Sequence, residues 1–307
     1  MTKSFFNLNN LDRRKFMRTS LQTVGVLSLT GFTSQTRASD HTHLPKVYTV
    51  QQMIDLILKE GNLSPLKETV DTIKCGSPDQ IVSGIVTTMF PTIPVIEKAA
   101  ALKANFIIAH EPSFYNHSDS PDWVRDNAVL KAKQAMLEKH KIAIWRFHDY
   151  CHALKPDAVS YGAAKKAGWL PYYKTGEVML KIPKISFKNL TSHLQKTLGI
   201  AHLRVIGDPD FPCERIALLL GAWGGQRQVS VAEKEKPDVL IVGETPEWET
   251  VEYIRDARAL GHKISLVVLG HAVSEEPGME WFAEWLKPKI PEVNITHLES
   301  KDPFTWV

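Results

Sequence analysis

The sequence predicts an α/β protein built around a largely parallel sheet, and three observations carry that prediction. Segments of helical periodicity alternate with short apolar runs between residues 50 and 275. The runs are short and nearly continuous, as in strands covered on both faces. Two stretches about 160 residues apart also repeat one design: Asn105-Phe-Ile-Ile-Ala-His110-Glu111-Pro112 and Ser265-Leu-Val-Val-Leu-Gly270-His271-Ala-Val-Ser-Glu275. Each follows an amphipathic helical segment (95–103 or 250–260) and ends in His with a carboxylate close behind. Two copies suggest one composite site built from both halves of the chain.

Residues 1–38 read as a targeting segment outside the fold. Asp12-Arg13-Arg14-Lys15-Phe16-Met17-Arg18 is a twin-arginine pattern, and the apolar stretch 21–32 after it is shorter than the roughly 20 residues a bilayer span needs. Thr36-Arg37-Ala38 places small residues for cleavage after Ala38. The expectation is export to the periplasm as a folded protein, with no stable membrane span after cleavage. This segment holds six of the 37 basic residues and one of the 34 acidic ones, which leaves 31 against 33 and a net charge of −2. The basic excess belongs to the signal, so nothing favours nucleic-acid binding.

The remaining elements follow in order. Residues 50–59 have helical periodicity through Met53, Ile54, Ile57 and Leu58. A strand is expected within 79–88, a helix over 91–104, a strand over 106–109, a helix over 127–140 and a strand over 142–146. Gly168 stops a helix over 160–168. The strand 178–182, the helix 187–198 capped by Ser186 and the strand 203–206 follow. Buried strands are then expected over 215–221 and 239–242, the second feeding Gly243-Glu244-Thr245.

The candidate chemistry sits at strand ends. Imidazole plus carboxylate at the C-terminal end of a strand suits a divalent metal, and that end is where α/β sheets bind ligands. Pro112 biases Glu111 toward an extended conformation. His271 and Glu275 are four apart, so a helical turn puts both on one face. Phe147-His148-Asp149-Tyr150-Cys151-His152 crowds several ligand types directly after a strand. His117 and Asp119 are reserves, and the other histidines are taken as structural. Cys75, Cys151 and Cys213 are too few and too scattered for a disulfide framework. Gly221-Ala-Trp-Gly224-Gly225 lacks a dinucleotide or Walker spacing, which leaves an anion-binding turn or a close packing turn.

These motifs together resemble the Nif-three-like family, also called dinuclear-metal-centre proteins and labelled GTP cyclohydrolase one type two. The resemblance runs through Phe106-Ile-Ile-Ala-His110-Glu111-Pro112-Ser-Phe, where the family pattern is His-His-Pro-Leu-Phe, and the His148 loop, where it is His-Thr-Asn-x-Asp. It continues through Arg215-Ile-Ala-Leu-Leu-Leu-Gly-Ala-Trp-Gly-Gly, Asp238-Val-Leu-Ile-Val-Gly-Glu244 and Gly270-His271-Ala-Val-Ser-Glu275. It implies two similar α/β lobes, roughly 48–160 and 210–307, joined by a segment 161–209, with the metals between them. It also implies a homo-oligomer, commonly a hexamer. Two positions depart from the pattern: Glu111 replaces the second His, and His152 aligns with the loop Asp. The exchange conserves three His and two carboxylates, namely His110, Glu111, His152, His271 and Glu275; an alignment with Asp149 or His148 as the loop ligand is also open. The expected cofactor is a pair of divalent ions, Zn, Fe, Mn or Ni. Glu275 is the first candidate for a bridging ligand and Glu111 the second, with Glu244 and Asp149 as supporting partners or general bases. The function expected is hydrolysis of a small-molecule substrate whose identity the sequence does not give; a non-enzymatic periplasmic metal store or scaffold is the alternative.

Overall fold

The computed structural model describes residues 46–307. The expected twin-arginine signal and its cleavage site lie outside the described residues. No helix among the described residues is long and apolar enough to cross a membrane.

The chain enters through α1 (Val50–Glu60), where the side chains of Thr49 and Gln52 each bond the other's backbone N–H and so fix the helix start. The elements β1 (Ile73–Cys75), β2 (Ile85–Thr88), α2 (Ile93–Ala101), β3 (Phe106–Ala109), α3 (Ala128–Lys139) and β4 (Ala143–Arg146) follow. Then come α4 (Asp149–Ala153), α5 (Ala158–Lys166), β5 (Met179–Ser186), α6 (Phe187–Leu198), β6 (Arg204–Ile206) and β7 (Pro212–Leu219). The chain closes with α7 (Gly225–Glu235), β8 (Val239–Val242), α8 (Glu252–Ala259), β9 (Ser265–Val268), α9 (His271–Leu286) and β10 (Ile295–His297).

Two five-stranded sheets result, ordered β1-β4-β3-β2-β10 and β5-β7-β8-β9-β6. Pairing is parallel except for the edge strands β1, β5 and β6. Every residue of β2, β3, β4, β8 and β9 is buried, which explains the continuous apolar runs. Alternation of side chains assigns Ile107 and Ile144 to the outer face of the first sheet, under Val95, Ile96 and Leu137 of α2 and α3. Leu219, Leu240 and Val242 likewise lie under Ala232 and Ile254 of α7 and α8. The opposite faces share one core, in which Ile108 and Trp145 of the first sheet and Leu218, Ile241 and Val267 of the second join Val159 of α5 and Met279 and Phe282 of α9.

The structure departs from the sequence reading in four places. Segment 161–209 does more than connect: it supplies β5 and β6, the two edges of the second sheet. The C-terminal β10 returns to the first sheet, with Ile295 opposite Ile85, so the first sheet takes a strand from the far end of the chain. Three residues carry no periodicity that would have announced it. The loop after β4 is the five-residue helix α4, too short to show a helical stripe. The first half of the strand expected over 79–88 is irregular, because Asn105 takes its backbone: its Oδ1 accepts from the Ser83 amide and its Nδ2 donates to the Ile81 carbonyl.

Candidate metal centre

The loops after β3, β4, β8 and β9 bring their polar residues to one cleft. His110 follows β3 directly and is fully buried. Its Nδ1 lies 3.1 Å from the Phe147 carbonyl, which holds the ring by the start of the next loop. Its Nε2 is buried without a hydrogen bond, although Glu275 Oε2 lies 3.4 Å away. His148 and His152 are held the same way: His148 Nδ1 is 2.9 Å from Asp149 Oδ1, and His152 Nδ1 is 2.9 Å from Asp157 Oδ2. An acceptor on Nδ1 fixes the proton there and leaves the Nε2 lone pair for a metal. The His110 and His148 rings stack at 4.8 Å, and the His152 ring lies 5.1 Å from each.

The second sheet contributes through α9. His271 Nε2 is 3.1 Å from Glu275 Oε2 and 3.4 Å from Glu111 Oε1, so the i,i+4 pair faces inward as the spacing predicts. The other ring nitrogen, Nδ1, lies 3.4 Å from Glu244 Oε2. Glu111 Oε1 is also 3.6 Å from His148 Nε2. Ligand atoms of His110, His148 and His152 lie within 4.8 Å of one another, as do those of His110, Glu111 and Glu275. All six residues singled out as ligands therefore converge, with His110 common to both groups. Asp149 stands behind His148: one oxygen faces that ring and the other accepts from the Thr69 hydroxyl and the Val70 amide. His117 stands at the edge, its ring 5.6 Å from that of His148. Asp119 turns its carboxylate onto the Ser113 and Phe114 amides and shapes the loop.

Several residues that build the site carry no sequence signal. Arg146 ends β4 fully buried; its Nε and one terminal nitrogen donate to the carbonyls of His110 and His117, and the other terminal nitrogen lies 3.2 Å from Glu111 Oε2. That contact occupies one Glu111 oxygen and leaves Oε1 facing the histidines. Asp71 accepts the amides of His148, Asp149 and Tyr150, so it holds the start of α4. Gly221 lies in the left-handed region at φ +72°, and a Cβ there would stand 2.0 Å from Glu275 Oε1. Its amide donates to Ser274 Oγ. The glycine turn is thus a close packing turn that admits the Glu275 carboxylate.

The electrostatics match a site short of positive charge. Burial works against the Glu275 carboxylate, yet the facing His110 and His271 hold its pKa well below the usual range. Burial works against the imidazolium of His271, and the carboxylates of Glu111, Glu244 and Glu275 override it, raising its pKa to about 11. Burial and the charge on His110 push His148 down to about 4, so it stays neutral and able to coordinate. Against burial, Glu275 likewise holds His110 well above its ordinary value, so His148 alone of these three is kept neutral. Two buried carboxylates and three imidazoles, two of which give up a proton to a metal, form a donor set that fits a borderline divalent cation. Cys75, Cys151 and Cys213 are free thiols, each pushed to about 11 chiefly by burial.

Comparison with known proteins agrees with this architecture. The model of the Duf34/NIF3 (NGG1p interacting factor 3) family matches residues 66–303. Protein SA1388 of Staphylococcus aureus superposes with a TM-score of 0.67 at 17% identity, over 85% of this chain and 99% of that one. A Bacillus cereus protein related to NIF3 superposes with a TM-score of 0.67 at 16% identity, over 85% and 100%. Reduced HcgD from Methanocaldococcus jannaschii gives 0.59 at 20% identity, over 83% and 99%. These likenesses show the two-lobed fold. A search of curated proteins finds no match.

Proposed function

The chain belongs to the Duf34/NIF3 family, and on that footing we propose that it is an exported metal-dependent hydrolase acting at a two-ion centre. The observation that carries the metal reading is the His110 Nε2, fully buried, unbonded and surrounded by further donors. A buried polar atom without a partner is costly, and a cation accepts its lone pair. In this reading His110, His148 and His152 would hold one ion, and Glu111, Glu275 and His271 would hold the other. Glu275, whose Oε2 faces both His110 and His271, would be available to both ions.

Bound divalent ions would supply Lewis-acid polarisation of a substrate oxygen and lower the pKa of an attacking water. The chain's residues supply the rest. Asp149, Asp157 and the Phe147 carbonyl fix the imidazole tautomers. Glu244 is half exposed in the cleft with one oxygen toward His271, so its other oxygen is placed to take a proton from a bound reactant. Asp149 has both oxygens engaged and serves to position His148.

Openness supports hydrolysis over storage. Glu111, His148, His152, His271 and Glu275 line a cleft of about 1300 Å³ with largely apolar walls, with His110 buried behind them, whereas a closed site seals its coordination sphere. Elemental analysis of protein purified without chelator or metal-binding tag tests the reading. About two ions per chain are expected in the wild type, fewer in His271→Ala and in His152→Ala, together with turnover in a screen of phosphoesters and cyclic amides. A chain that takes up no metal would sink it. Metal without any turnover would favour the store. Export is tested by fractionation: replacing Arg13 and Arg14 with Lys should retain the protein in the cytoplasm. The homo-oligomer is tested by light scattering of the purified chain.

A further inference from the structure

We propose that Lys133 anchors an anionic oxygen group of the substrate, a carboxylate or phosphoryl group, in the cleft beside the metal centre. The assignment rests on reading that cleft as the substrate site. Lys133 projects from α3 and is only 4% exposed, yet it lines the cleft with Glu111, Tyr115 and His117. An ammonium carries three N–H donors. Among the described residues one is used, in a 2.6 Å bond to the Ser113 carbonyl, and no carboxylate reaches it as an ion pair. The Tyr115 ring stands 5.3 Å from Nζ and adds a weak cation–π contact. Asp119, the acid nearest in influence, spends both oxygens on the amides of Ser113 and Phe114. The hydroxyl of Ser113 is itself buried without a partner.

Arg146 is the informative contrast. It too is buried near Glu111, but its donors end on two carbonyls and a carboxylate. A cation satisfied in that way is structural. Lysine is almost never buried unpaired, and Lys133 has donors to spare on a cleft wall. The missing partner is an anion that arrives from the cleft. Phe90, Trp223 and Phe304 on the same walls suit an apolar body attached to that anion.

The test titrates sulfate and, separately, benzoate into metal-loaded and chelator-treated protein by calorimetry, for wild type, Lys133→Met and Lys133→Arg. Lys133→Met should weaken binding at least about tenfold with unchanged metal content. Burial brings the ammonium down to about 8, with Asp119 and Cys75 acting the other way and Glu111 and His117 on the same cleft. Wild-type affinity should therefore fall between about pH 7 and pH 9.5, as the cation is lost, and that of Lys133→Arg should hold. If Lys133→Met fails to fold, that pH contrast decides alone. Tighter sulfate assigns a phosphoryl group, and tighter benzoate a carboxylate. Equal affinity in wild type and Lys133→Met, no binding of either probe, or binding that needs only the metal would each overturn the anchor. Metal content, measured on the same samples, separates the two readings: a Lys133-dependent anion site in a chain without metal would refute the centre and keep the anchor.

Discussion

His271 and Glu275 set how the site responds to pH. The raised His271 stabilises the metal-free fold in full below its ordinary value of 6.5, and that contribution runs down as pH rises toward about 11. The depressed Glu275 contributes above its ordinary value of 4.5 and loses its contribution as pH falls through the lower folded value. Metal-free protein should thus draw most from this pair between 4.5 and 6.5. A metal must displace the His271 proton, so its advantage grows with pH. The rise in Tm on adding Zn should increase from about pH 6.5 to about pH 9 in calorimetric scans; a shift that is flat or shrinks would refute proton competition at His271. Arg146 permits a second prediction. Arg146→Met takes the cation from Glu111 Oε2, leaving only His271 as an ion pair on Oε1, and strips the donors from the His110 and His117 carbonyls, so it should cost about 3–5 kcal/mol in urea unfolding. A loss under about 1 kcal/mol would mean that Glu111 finds another partner. The six ligand candidates were legible because His and carboxylates at strand ends are a local pattern. Arg146, Asp71 and Asp157 were not, since what they do depends on partners reached through the fold: Asp71 meets His148 from 77 residues away.

At the level of elements, α9 links the site to the core. It begins with His271 at the end of β9, carries Glu275 one turn on, and then packs along α5 through Pro277 and Gly278. A Cβ on Gly162 of α5 would stand 2.3 Å from the Pro277 carbonyl, so the two helices touch through backbone. Gly162→Ala should therefore destabilise by about 1–3 kcal/mol through overpacking, read as a lower urea midpoint with unchanged slope. Gly221→Ala acts differently, because its Cβ would occupy the place of Glu275 Oε1. It should lower metal content as well as stability; full metal occupancy in that variant would show that Glu275 can move without loss. One helix start was readable: Ser186 caps α6 by accepting the Asn189 amide, as expected, while Thr92 and Asn127 cap α2 and α3, which begin one or two residues inside the expected helices. The short elements β10 and α4 were not, because neither is long enough for a period to emerge.

In the molecule as a whole, the far end of the chain completes the first sheet. β10 pairs with β2, and past it the Ser300 amide and hydroxyl bond Glu276 Oε2 at 2.8 and 2.6 Å. Glu276 Oε1 in turn accepts from the Met89 amide at the end of β2. A chain ended after residue 293 would leave β2 as a bare edge and release this clamp beside Glu275. We expect it to enter inclusion bodies or to purify without metal. A soluble, metal-replete truncation would show that β10 is dispensable to the site.

By itself the sequence determined the class of fold, most of the longer elements and the His and carboxylate residues that gather in the candidate centre. These follow from local causes: periodicity, capping, and the placement of His and carboxylate where buried strands end. Only the tertiary structure decided that His148 and His152 each turn Nδ1 to a carboxylate, that Asp149 stands behind His148, and that Arg146 holds one oxygen of Glu111. It also decided that β5, β6 and β10 complete the sheets. His110 and Glu275 are about 165 residues apart in the chain and 3.4 Å apart in space. Such contacts are fixed by how two sheets pack around α5 and α9, and no local pattern in the sequence encodes that packing.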